Sequence, residues 1–599
     1  SRTAPLTVNG GTLDLGGDFT NQVNTLTLNN GRIESGTIDA AIVDARLGTL
    51  AAAIAGTGSF VKNGEGLVTL LAASNYSGGT TVNDGTLRLG VDLALRPDGA
   101  LNVVGGELAL GTTRQTVGLV TLSGGSISGG TLSGAAYQAN SGTVAAILAG
   151  SAALTKATTG TVTINTASIY EGGTNVVEGT LVLGISNALL GSGTLGIAGG
   201  RVELGATQQE VGAFRLADGA LFNGTLTASG FVVENGEIGT VLSGSATFTK
   251  SALGSVTLSG ENRLTGLMDI AGGTLAIGGA GKLSSGSLMV ENEATVLDLG
   301  ASAQTVGEFR LIGGALQNGS LTASAINVES GSISAVLTGD AVFVKSGSGT
   351  VVLSAANLLS GSMEVAAGTL RVNGNGKLTG GALTLRNAGS VLDLGTTSQT
   401  VAAFRLVDGA VQNGTLTASR FGVEGGLISG VLSGDATFTK TSAGTTILSG
   451  ENALSGFMDI AGGTLAISGV GKLTSGALTV ENSGTVLNLG TSAQNVDGFR
   501  LAGGTVQNGQ LNATSFGVEN GVVSAVLNGS GTLTKSTAGT VVLSGRNTLT
   551  GAMNVAGGTL AISGTGLLTS GSVTLSSTTA VLDLGMTRQN VDTFRLAGG

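Results

Sequence analysis

The chain has 599 residues, 41% of them hydrophobic and only 11% charged, with 107 glycines, two prolines and no histidine, cysteine or tryptophan. Its net charge of −10 and isoelectric point near 4.7 argue against nucleic acid and anionic membranes, which select basic patches. High glycine without proline excludes collagen and proline-rich linkers. The mean hydropathy of +0.39 excludes an acidic disordered chain, and no apolar run of about 18 residues offers a membrane-spanning helix.

The N-terminus, Ser1 to Gly11, lacks the apolar core of a signal peptide. A cysteine-free chain of this length fits export through an oxidising compartment. Leu13–Gly16 opens a motif that returns at Leu108–Gly111, Val202–Gly205, Leu297–Gly300, Leu392–Gly395, Leu487–Gly490 and Leu582–Gly585. Six lysines follow the same rhythm: Lys62, Lys156, Lys250, Lys345, Lys440 and Lys535, in steps of 94, 94, 95, 95 and 95. A glycine opening a Gly-Thr-Leu run follows each lysine at one constant interval, at Gly85, Gly179, Gly273, Gly368, Gly463 and Gly558. Phe-Arg-Leu runs begin at Phe214, Phe309, Phe404, Phe499 and Phe594. The chain therefore reads as one continuous array over 1–599, with repeats at 13–107, 108–201, 202–296, 297–391, 392–486 and 487–581 and a part at 582–599. It stops within a repeat, as a segment of something longer would.

Residues 296–390 contain ten short runs such as VLDLG, AVFVK and TVVLS, most alternating apolar with polar and separated by Gly, Asn-Gly or Ser-Gly. That pattern is strand, and no stretch keeps a helical period. Short strands, glycine corners and 3% aromatics favour an all-β solenoid over a string of sandwiches, whose cores need large side chains. With about 19–24 residues per turn and about 4.8 Å between rungs, each repeat makes four to five rungs and the array a rod of roughly 120–150 Å.

Without histidine or cysteine the usual zinc sites, Ser-His-Asp triads and thiol nucleophiles are impossible. The Leu-Asp-Leu-Gly motif offers Asp14, Asp298, Asp393 and Asp583, but Ala109, Glu203 and Asn488 stand at the same position. A position that accepts Ala and Asn does not perform carboxylate chemistry in each copy. Alternation in Ala246–Lys250 places Phe248 in the core and Lys250 at the strand end, its ammonium within reach of water or corner carbonyls. The rival reading of the lysines is a basic stripe for an acidic polysaccharide. Arg215, Arg310, Arg405, Arg500 and Arg595 form an outward row serving solubility, and Asn223, Asn318, Asn413 and Asn508, each before glycine, are turn residues.

The stretch Lys62–Gly90 resembles the autotransporter-associated β-strand repeat of bacterial surface proteins. Lys62, Asn75, Tyr76, Gly78, Gly79, Thr80, Gly85, Thr86, Leu87, Leu89 and Gly90 carry the likeness. The second copy has Ile169 in place of the asparagine, and the later ones, beginning Asn262-Arg-Leu, lose the tyrosine. The resemblance implies a right-handed parallel β-helix, export across the outer membrane and display on the cell surface, and it brings no catalytic, cofactor or metal residues. The expected function is a structural and adhesive extracellular stalk or fibre. Expected partners are other copies, laterally or end to end, other surface components, or a polysaccharide. The alternatives are a polysaccharide-active β-helix enzyme, or the stalk of a passenger whose active domain lies elsewhere.

Overall fold

The computed structural model describes residues 4–17, 19–569 and 571–598, and their regular structure is entirely β-strand. The chain forms two compact units, Ser1–Gln304 and Thr305–Gly599. Among the described residues the strands pair in parallel, and each turn of chain lays strands on up to three faces. One turn of the second unit runs Thr437–Lys440, Thr445–Leu448 and Ala453–Leu454, then returns to the first face at Met458–Ile460. Period-two alternation decides what points inward: Phe438 and Lys440 are buried while Thr437 and Thr439 face out. Neither unit is a string of sandwiches; each is a parallel β-solenoid.

Turn length varies within each repeat, and two short turns stand together in it. In the second unit Phe404 pairs with Phe421 and Phe421 with Phe438, two steps of 17. Phe438 pairs with Met458 and Met458 with Leu478, steps of 20, and Leu478 with Phe499 is a step of 21. Five such turns make the period of 95. In the first unit the steps from Tyr137 through Leu154, Thr174, Leu195 and Phe214 to Phe231 are 17, 20, 21, 19 and 17, which gives the period of 94. The repeat therefore holds five rungs, and its two short turns fall below the length expected from the sequence.

Large side chains stack on themselves along the first face. Ring centroids lie 6.1 Å apart for Phe214–Phe231 and Phe404–Phe421, and 6.3 Å apart for Phe499–Phe516. Between them come Met458 and Leu478, both fully enclosed. Parallel stacking thus supplies the core that 3% aromatics could not supply to separate domains. Phe594, on the last turn of the sequence, is 56% exposed.

Candidate functional site

The lysines lie inside. All six of Lys62, Lys156, Lys250, Lys345, Lys440 and Lys535 have no exposed surface, so they form no basic stripe for an acidic ligand. Five of them end a first-face strand, Lys156 stands just before the register break inside the longer strand Leu154–Ile164, and each ammonium donates to the backbone carbonyls that follow. One acceptor is two residues on: Gly64 O at 2.5 Å for Lys62, Thr158 O for Lys156, Ala252 O for Lys250, Gly347 O at 2.8 Å for Lys345, Ser442 O at 2.5 Å for Lys440 and Thr537 O for Lys535. Another lies one turn further, at Asp84, Glu178, Gly272, Ala367, Gly462 and Gly557, 2.9–3.2 Å away. That second residue immediately precedes Gly85, Gly179, Gly273, Gly368, Gly463 or Gly558. Those glycines have φ between +62° and +70°, a region costly for residues with a Cβ. The constant lysine-to-glycine interval therefore records one physical object, an ammonium clamping two consecutive corners. Burial lowers the pKa of all six lysines, that of Lys345 to about 8, with nearby acids such as Glu329 opposing the shift.

A second corner is held by groups that sequence reasoning missed. The backbone N–H of Leu473 donates to Gln494 Oε1 at 2.7 Å, while Gln494 Nε2 donates to Gly471 O at 2.9 Å and Ser492 Oγ at 2.8 Å. Gln115, Gln209, Gln304, Gln399 and Gln589 make the equivalent three bonds. The signal was present: a Thr or Ser two residues before a Gln, recurring at the repeat period. We expect Gln494→Leu to cost about 2–3 kcal/mol by orphaning a buried donor and acceptor, read as a lower denaturation midpoint. The asparagines Asn262, Asn357, Asn452 and Asn547 likewise accept from the N–H of a leucine on the preceding turn, at 2.9–3.0 Å. Ser74 does this in the first copy, for Ile54 N–H at 3.2 Å. Asn75 is exposed, so the Asn of the first copy and the Asn of later copies are different positions.

The Leu-Asp-Leu-Gly acids are turn acceptors. Asp14, Asp298, Asp393, Asn488 and Asp583 each accept through Oδ1 from the glycine N–H two residues on, at 2.8–3.0 Å. An amide oxygen serves as well as a carboxylate, which explains Asn488. Asn223, Asn318, Asn413 and Asn508 hold φ of 59–63°, as turn residues do. The arginine row carries more than solubility. Arg215, Arg310, Arg405 and Arg500 each pair with a glutamate on the following turn, Glu234, Glu329, Glu424 or Glu519, at 2.5–2.8 Å.

On the same outer face Asp269 and Asp459 each have a buried Oδ1 without a hydrogen-bond partner. Burial, and then Glu291 or Glu481, raises their pKa, with Arg500 opposing at Asp459. At the corresponding places Glu364 pairs with Arg386, and Asn554 accepts from Ser576 Oγ at 2.9 Å. A carboxyl pKa raised above its unfolded value means the native state binds the extra proton, so stability falls as pH rises through the folded pKa. Asp459→Asn should therefore raise the melting temperature at neutral pH, and the gain should vanish below about pH 3, where the wild-type carboxyl is protonated in both states.

Each unit is thus a parallel β-solenoid whose buried lysines and glutamines are turned to its own corners. Residues 60–89, 154–183, 248–277, 343–372, 438–467 and 533–562 each match the Passenger-associated-transport-repeat, and each match contains one lysine and its paired glycine. The chain is similar to the Adhesin BmaC autotransporter of Brucella suis biovar 1 (strain 1330), 32% identical over 322 residues, which is 49% of this chain. It spans 9% of that protein's length. No solved structure matches the chain.

Proposed function

We propose that the chain is part of the surface-displayed stalk of an exported adhesin, with a mechanical and non-catalytic role. The observation that carries this reading is the lysine corner. In all six repeats a charged side chain is committed to backbone carbonyls of its own and the following turn, which is investment in stacking. The passenger repeats and the likeness to an autotransporter adhesin support export and display. Length then scales with the number of five-turn blocks, and adhesion is spread along the solenoid.

The cysteine-free sequence permits a direct test. Lys472→Cys, at an exposed position, introduces one thiol into this segment of the protein as its own cells make it, with the unsubstituted protein as the control. A membrane-impermeant maleimide should label it on intact cells, and beads coated with the purified chain should adhere to surfaces that bind those cells. Labelling only after lysis would overturn display, and inert beads would overturn adhesion by this segment.

A further inference from the structure

Two depressions of the second unit occupy the same place in successive repeats. One of about 450 Å³ surrounds Arg405 and Glu424, and one of about 380 Å³ surrounds Arg500 and Glu519. Both lie over the short turns. The first unit has a counterpart of about 750 Å³ around Arg215 and Glu234. The outward row through the two clefts of the second unit reads Arg405, Gly422, Thr439 and then Arg500, Gly517, Thr534.

The glycines in the middle of that row are not required by the fold. Gly422 and Gly517 have no positive φ. A Cβ on either would meet its nearest atom at 4.0 or 3.9 Å, an ordinary contact. A central, outward strand position favours β-branched residues, and Val232 fills it in the first unit. Glycine in a strand interior weakens it, and marks a bulge, a tight bend or a close approach of a ligand or another backbone; the register runs unbroken through Gly422 and Gly517, which leaves the close approach. The cleft floor is therefore kept bare at some cost to the sheet.

The walls define what fits. Arg405 donates to Glu424 through Nε at 3.0 Å and Nη2 at 2.5 Å, and Arg500 donates to Glu519 through Nε at 2.8 Å. Thr384 and Thr439 flank the first cleft and Thr479, Thr534 and Ser515 the second. Charges cancel in the second, and Arg420 joins the first. Paired guanidinium and carboxylate groups beside hydroxyls offer donors and acceptors side by side, the complement of vicinal diols, above a flat peptide floor for the C–H face of a sugar ring. Five rungs separate the copies, about 24 Å at about 4.8 Å per rung. Sites copied at fixed spacing best engage a partner that is itself a repeating polymer. We propose that the clefts over Gly422 and Gly517 bind sugar units of a neutral polysaccharide. The proposal gives the adhesive reading a ligand class, and its binding test does not depend on cell-surface display.

The purified chain is immobilised and exposed to dextran, mixed-linkage β-glucan and α-mannan, with alginate as a polyanion, at physiological salt. At least one neutral glycan should be retained, and Gly422→Val/Gly517→Val should weaken that binding roughly tenfold or more through lost avidity, with its melting temperature unchanged or raised. Retention of none of the three, retention of alginate alone, or unchanged binding by the valine variant would overturn the proposal. A chain that is displayed and adhesive yet retains none of the glycans would overturn the clefts alone.

Discussion

Lys440→Met will loosen the corner it closes by about 2–4 kcal/mol. Methionine keeps most of the volume, so the loss is of bonds rather than of packing. Lys440 Nζ donates to Ser442 O at 2.5 Å and Gly462 O at 3.2 Å, with Ser442 Oγ at 3.4 Å. Hydrogen bonds to a charged group contribute about 1.5–3 kcal/mol each, and the carbonyls left behind are partly buried. Relief from burying an ammonium offsets part of that, which is why the net stays near one or two such bonds. Arrays of stacked turns open locally rather than in one step. The measurement is therefore hydrogen exchange at Ala461 and Gly462, whose N–H groups donate to Lys440 O. Lys472→Met, at an exposed lysine, is the control and should leave exchange unchanged. A loss below about 1 kcal/mol at Lys440 would mean that the clamp contributes no more than an ordinary neutral hydrogen bond.

Gly463→Ala will do at least as much damage from the other side of the same corner. Its φ is +63°, and an added Cβ would stand 2.3 Å from Ser442 O and 2.4 Å from Gly444 O. The left-handed conformation alone costs an L-residue about 1–2 kcal/mol. Relieving the contact requires two adjacent rungs to separate, so the total should exceed about 3 kcal/mol. Gly469→Ala separates the two causes, because its φ is +56° and nothing lies within 4 Å of the added atom. It should lose only the conformational part. Ser442 O is both the lysine's acceptor and the atom the new Cβ strikes. Lys440→Met and Gly463→Ala should therefore combine to less than their sum.

Period-two alternation, glycine corners and recurring landmarks were enough to read a β-solenoid and to place Phe248 in its core. The same reasoning placed Asn413 in a turn and denied chemistry to Asp393. What it could not reach was anything that depends on which residues lie one rung apart. A period of 95 is compatible with equal turns of 19, and only the register reveals steps of 17, 20 and 21. Without those steps Arg405 has no visible reason to meet Glu424, nor Gln494 to meet Leu473. The Asn-Tyr motif misled for a local reason. Asn75 and Asn262 look equivalent in letters, but Ser74 holds the inward place in the first copy, so a one-residue slip exchanged inside for outside.

The unequal turns also set how the solenoid would yield to a pull. Backbone hydrogen bonds join one rung to the next along the axis, so tension across a unit loads a single row at a time. Each rupture frees one turn and then meets the next intact row. The turns from Phe421 to Phe438, Phe438 to Met458 and Leu478 to Phe499 release about 55–75 Å of extended chain apiece. Stretching one unit would thus write a sawtooth whose spacings follow the order of turns in the repeat. A tether built this way dissipates a sudden load in small instalments, and can rewind from the rungs that remain.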